Sequence, residues 1–289
     1  MKSLFNSNLG LFGSSFNLAM KLFPKPAFHF SLRLISILSQ RKLKPEDRVL
    51  YAQGFEMNVT VDNQVIKGHI WGEGPVIVLV HGWRSNAASW KHYIPHLLES
   101  GYQVVALDAP GHGINQPMPF DLGIYFNAVQ KLINQIDNIH AVVGHSIGAT
   151  AAFFGCLPII NKPNCLILLS PYGSVMQLAE EMADLLKLSP AFIKAFDQHM
   201  FQHTGRDLHN LDISKHVHRL NHSIIDIIHS QDDPVSPIKF SYNIQSKATH
   251  VLLHQMHQTG HRKSEKQIVN KVLQIIRDQR QQSRWRVSS

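Results

Sequence analysis

Residues 142–153 read Val142-Val-Gly144-His-Ser146-Ile-Gly148-Ala-Thr-Ala-Ala-Phe153, an apolar run that ends in G-x-S-x-G and passes at once into small residues. A serine in this setting is a candidate nucleophile. A strand-to-helix turn this sharp projects the hydroxyl outward, and Gly144 and Gly148 keep the neighbouring backbone clear of it. The helix N-terminus behind it favours the negative charge that develops when a carbonyl is attacked. Upstream, Val78-Leu-Val-His81-Gly82-Trp83 ends a second apolar run. The backbone N–H groups of Trp83 and Ile147 are the expected oxyanion donors, each commonly worth roughly 3–4 kcal/mol in acyl transfer. His81 is read as a loop-packing side chain, because the base is expected downstream of the serine in this chain order.

Such a group of residues needs strands to position it. Residues 76–80, 104–107, 141–143, 166–169, 224–228 and 251–253 form short, nearly uniform apolar runs. They are too short for helices and too continuous for half-exposed strands, so they read as strands of a mainly parallel sheet buried on both faces. Helix-period stretches at 87–100, 121–136, 147–154, 236–245 and 263–277 separate most of them, and that alternation predicts a doubly wound α/β fold. Sites in such folds lie at the carboxyl ends of the strands. Ahead of the sheet, 56–61 and 64–70 alternate about Asp62-Asn63, which predicts an antiparallel hairpin. Residues 27–39, between Pro24, Pro26 and the basic Arg41-Lys-Leu-Lys44, read as an amphipathic helix whose early alternation leaves a strand open. An insert at about 174–222 carries two helical patterns, 175–188 and 190–201, and reads as a lid. Its apolar stripes are Val175, Leu178, Met182, Leu185 and Leu186, then Phe192, Ile193, Phe196 and Met200. Some of them are expected to pack the lid down and some to face the cleft above Ser146.

Five blocks in order, Leu79-Val-His-Gly82, Asp108-Ala-Pro-Gly-His-Gly113, Gly144-His-Ser-Ile-Gly148, His229-Ser-Gln-Asp-Asp-Pro-Val-Ser-Pro237 and Gly260-His261, resemble the signature blocks of the α/β-hydrolase superfamily. The resemblance covers about residues 50–280 and is nearest to the capped, esterase-like bacterial members. It implies an α/β-hydrolase domain over 49–289 with a helical cap, preceded by a basic and apolar extension over 1–48. It also implies that the acid is Asp233, four residues before Pro237, with Asp232 as its neighbour, and that the base is His261. Asp108 begins the Pro-Gly turn of the second block and is read as structural. Two departures from the family pattern are Asn115, where many relatives have Ser, and Ser230, where the strand before the acid usually ends in Gly. His254, His257 and His261 invite a metal reading, yet a strand-to-loop stretch does not put three such side chains on one face, and no carboxylate completes the set.

The reaction so implied is two-step acyl transfer through an acyl-enzyme, which requires no cofactor or metal. Serine at the elbow argues against epoxide hydrolases and dehalogenases, which use a carboxylate there. It leaves carboxylesterase, the first expectation, beside lipase, thioesterase, amidase and C–C bond hydrolase. A non-catalytic ligand-binding member of the fold is the reading from a different class.

The 289 residues suffice for one large α/β domain, and 44% hydrophobic with 17% charged residues lies in the globular range. The two cysteines, Cys156 and Cys165, make no disulfide framework and are read as buried thiols in a reducing compartment. Polar residues between Asn6 and Asn17 interrupt the apolar N-terminal stretch, and no run approaches a membrane span, so a cytoplasmic protein is expected. The net charge of +8 is uneven: residues 1–50 and 260–289 each carry +6, and 51–259 carry −4. No reading module for nucleic acid accompanies the basic ends. Solvation is one expectation for them and weak attachment to an anionic membrane surface another. The expected partner is a small-molecule ester.

Overall fold

In the computed structural model, which describes residues 9–39, 42–115, 118–158, 163–221 and 223–288, the hairpin forms first. Asp62 and Asn63 both take positive φ, 47° and 61°, the conformation that a two-residue turn matched to strand twist requires. The turn joins β1 (Phe55–Val61) to β2 (Gln64–Trp71) with Val59 opposite Ile66. β3 (Val76–Val80), β4 (Gln103–Leu107), β5 (Ile139–His145), β6 (Cys165–Leu169), β7 (Ile224–Ser230) and β8 (Val251–Met256) complete an eight-stranded sheet. Its order is β1-β2-β4-β3-β5-β6-β7-β8, antiparallel at β1/β2 and β2/β4 and parallel elsewhere. The chain winds one way from β3 to β4 and the other way from β5 onward. The crevice therefore opens at the carboxyl ends of β3 and β5.

Alternate residues of β3 serve two cores, as a pleated strand dictates. Val78 and Val80 join one, with α5 (Leu122–Asn134) and α6 (Ile147–Cys156); Ile77 and Leu79 join the other, with α3 (Pro45–Ala52), α4 (Ile94–Glu99) and α11 (Lys266–Ser288). Two expected helices are shorter than their sequence patterns. Over 87–100 the chain makes a 3₁₀ turn at Ala87–Trp90 and only then α4, because Pro95 lacks the N–H that a continuous helix needs there. Over 236–245 only α10 (Lys239–Gln245) is helical, since Pro237 disfavours helical backbone at Ser236 before it. Conversely, α11 continues past Arg277 to Ser288. Cys156 and Cys165 are both buried.

The insert leaves and rejoins the sheet domain at one neck, where Ser174 bridges Asp212 and Val175 N–H donates to Leu211 O at 2.9 Å. It comprises α7 (Val175–Leu186) and α8 (Pro190–Thr204), and α9 (Ile213–His216) leads back to β7. The extension ahead of the sheet contributes α1 (Leu9–Leu22) and α2 (Pro24–Ser39), so 27–39 is helical. Both pack on this cap: Phe16 and Phe28 lie 6.4 and 6.0 Å from Phe192, centroid to centroid. Asn17 bridges the α7–α8 turn by donating to Lys187 O and accepting from Ser189 N–H. Among the described residues, no helix is long and apolar enough to cross a membrane.

Candidate active site

Ser146 follows β5 directly and has φ 57° and ψ −128°, a region that non-glycine residues rarely occupy. The turn is held from both sides, by Ser146 N–H on Leu169 O at 2.9 Å and by α6 starting at the next residue. A Cβ on Gly148 would lie 2.2 Å from His81 O, and one on Gly144 would lie 2.5 Å from Ala149 Cα, so neither position has room for a side chain. The His81-Gly82-Trp83 loop runs against this turn: a Cβ on Gly82 would lie 3.0 Å from Ser146 Cβ. Trp83, Ser146 and Ile147 border one cavity of about 90 Å³. Ile147 is the first residue of α6, where an N–H has no acceptor within the helix.

His261 and Asp233 come from the loops after β8 and β7. Their side chains meet, with His261 Nδ1 2.8 Å from Asp233 Oδ2. His261 is docked on the elbow through His145, whose ring lies 4.8 Å from its own and whose Nε2–H donates to His261 O at 3.0 Å. Burial, with Lys263 and His261 nearby, holds His145 well below the ordinary histidine range, so it is neutral. Burial alone would raise the Asp233 carboxyl. Hydrogen bonds from His229, His261 and the Ser236 N–H outweigh it and hold Asp233 far below the usual carboxylate range. Asp232 points elsewhere: it is exposed and accepts from Ser230 Oγ.

His81 and Asp108 are structural. His81 is buried, and its nitrogens are engaged by Gly82 O at 2.7 Å and Ala109 N–H at 3.0 Å. Asp108 accepts from Ala87 N–H at 2.7 Å, Ile114 N–H at 3.3 Å and the Tyr51 hydroxyl, and burial pushes its pKa up to about 6. Asn115 clamps this turn to β2, accepting from Lys67 N–H and donating to Lys67 O and Asp108 O. His254 Nε2 is 2.6 Å from Asp226 Oδ1 and so pairs away from His261.

His229, the first residue of the fourth block, lies under Asp233. Its Nε2–H donates to Ser236 O at 2.7 Å, with Asp233 Oδ2 at 3.4 Å, while Ser241 Oγ is 2.6 Å from Nδ1. The signal was available: Asp226, His229 and Ser230 interrupt a strand otherwise apolar on both faces, and a buried polar side chain there needs a partner. The cavity above Ser146 is nearly all apolar. The cap supplies Leu178, Met182, Phe192 and Phe196, α2 supplies Leu32, and Tyr172 lies on the body side. Val175, Leu186 and Met200 are buried in packing instead, as is most of Ile193, and the Leu185 side chain lies outside the described residues.

Comparisons with known proteins agree with this architecture. A zebrafish (Danio rerio) serine hydrolase-like protein is 26% identical over 155 residues, 51% of this chain and 44% of the relative. Epoxide hydrolase 3 of Siraitia grosvenorii is 31% identical over 120 residues, 39% of this chain and 38% of the relative. The matched stretches thus span less than half of either relative. Among solved structures, the meta-cleavage product hydrolase of Pseudomonas fluorescens IP01 is similar in fold, with TM-score 0.55, 18% identity, and coverage of 78% of this chain and 98% of that one. The profile of the alpha/beta hydrolase family matches residues 77–261, from β3 to the histidine paired with Asp233, and the chain belongs to that family.

Proposed function

We propose that the chain is a serine hydrolase cleaving carboxylic esters of small, largely apolar acyl groups, with Ser146 as nucleophile, His261 as general base and Asp233 as the acid that orients it. The observation that carries this reading is the Asp233–His261 pair, 2.8 Å apart, docked on the elbow from which Ser146 opens into an apolar cavity. With Nδ1–H donated to Asp233, His261 Nε2 is free to take the Ser146 proton. Oγ attacks the ester carbonyl, and the resulting oxyanion accepts from the Trp83 and Ile147 N–H groups. Collapse breaks the C–O bond to the alcohol, which leaves with the proton from Nε2. Water then gives its proton to the same nitrogen, attacks the acyl carbon and releases the acid and Ser146.

A serine nucleophile agrees with the name of the zebrafish relative and not with that of the Siraitia one, since epoxide opening in this superfamily uses a carboxylate at the elbow. The apolar lining favours an uncharged substrate, because burying an unpaired charge costs several kcal/mol. A cavity of about 90 Å³ suits a short acyl chain. Thioesters, amides and activated C–C bonds yield to the same chemistry.

Fluorophosphonate labelling and p-nitrophenyl esters from acetyl to palmitoyl, beside acyl-CoA and amide substrates, test the reading. The wild type is expected to be labelled and to turn over acetyl and butyryl esters fastest, and Ser146→Ala to lose both properties. Retention of more than a few per cent of the rate in Ser146→Ala overturns the nucleophile. Turnover of amides or thioesters but no ester overturns the substrate class.

A further inference from the structure

A second cluster of chemistry-bearing side chains lies on the outer side of the cavity wall, where the cap meets the body. His199 and His203 are one turn apart on α8 and so share a face, with ring centroids 4.6 Å apart. Opposite them stands Asp121, which caps α5 by accepting from Ile124 N–H at 3.1 Å and whose two oxygens lie 2.9–3.0 Å from His199 Nε2. One donor atom from each of these three residues lies within 4.8 Å of the others. His203 Nδ1 is 2.9 Å from Asp62 Oδ2, at the β1–β2 turn. With that nitrogen as donor, Nε2 keeps its lone pair, the arrangement in which a carboxylate behind the ring orients a metal-binding histidine. The approach is close: a Cβ on Gly123 would lie 2.8 Å from His203 Cβ, so the ring fits only because that residue has no side chain. All three residues border an open cleft of about 800 Å³, wide enough for an ion to enter with its water.

We infer that Asp121, His199 and His203 form a binding site for a divalent transition-metal ion, with Asp62 supporting His203 and water completing the coordination. Two imidazoles and a carboxylate suit zinc, cobalt or nickel and not magnesium or calcium, which prefer oxygen ligands. Bonds of about 2.0–2.1 Å bring adjacent donors to within about 4 Å of one another, a contraction within reach of side-chain rotation. The bound ion would tie cap helix α8 to the body at α5. Phe120 and Leu122, on either side of Asp121, border the cavity above Ser146, so the same tie would fix that cavity's wall.

The test is titration of EDTA-treated, full-length protein with ZnCl2 and CoCl2 by calorimetry, with thermal melts in parallel. The expected result is one saturable site with a raised Tm. His199→Gln and His203→Gln are each expected to weaken binding at least thirtyfold, and Asp62→Asn about tenfold. X-ray absorption of zinc-loaded wild type, which needs no substitution, is expected to show two imidazole ligands. No stoichiometric binding, undiminished binding in the double histidine variant, or an absorption spectrum without paired imidazoles overturns the site. Ser146→Ala is expected to bind metal like wild type, so failure of this site and failure of the hydrolase reading are separable.

Discussion

At Ser146 the backbone is held at φ 57°, a conformation that costs about 1–3 kcal/mol in a non-glycine residue and persists where the surroundings over-determine it. Leu169 O, the start of α6 and the glycine contacts do so here. All of these lie within a few residues or one strand away, which is why the elbow was legible in the sequence. The proposed acid was less so. Asp232 and Asp233 are adjacent and chemically identical, and only the folded turn shows that one is exposed and the other is paired with His261. Asp233→Asn is expected to lower kcat by on the order of 10⁴, because the amide forces the wrong imidazole tautomer. Asp232→Asn is expected to stay close to wild type. Steady-state kinetics, with circular dichroism to check folding, measure both. The reverse pattern would move the acid by one position.

The cap elements show how one helical period serves two purposes. On α7, Val175 and Leu186 are buried in packing, whereas Leu178 and Met182 border the cavity. The amphipathic pattern announces an apolar stripe but not which neighbour covers each part of it. Met182→Ala is the informative substitution, since Met182 is only half buried and its truncation disturbs the core less than loss of Phe192 or Phe196. The expected outcome is a preferred acyl chain longer by two or three carbons. Each added methylene is expected to gain roughly 1 kcal/mol in kcat/KM until the larger cavity is full. The ester series measures it, and an unchanged profile would remove Met182 from the acyl pocket. Helix ends were less legible than helix faces. Pro95 delays α4, and Pro237 disfavours helical backbone at Ser236 ahead of α10.

Over the whole molecule, the apolar and basic features at the N-terminus meet on one pair of helices. Leu18, Leu22, Phe23, Phe30 and Ile37 are exposed on α1, α2 and the corner between them, with Lys21, Lys25 and Arg33 exposed among them. That pairing fits an anionic lipid surface, to which basic side chains are attracted and into which apolar ones insert. The other basic segments are less informative, since Arg41 and the side chains beyond Gln279 lie outside the described residues. Vesicle sedimentation is expected to show binding to anionic lipid at low salt, weaker at physiological salt, and reduced by Lys21→Glu with Lys25→Glu. Binding indifferent to salt and to anionic lipid would exclude this electrostatic attachment. The parallel sheet, the hairpin, the elbow and the order of the five blocks were all determined by the sequence by itself, because uniform apolar runs, turn residues and strand-to-helix junctions act over a few residues. Tertiary structure alone decided that α1 and α2 complete the cap and that Asp121 meets His199 and His203. Each of those contacts joins residues on different elements, brought together by packing that no local pattern encodes.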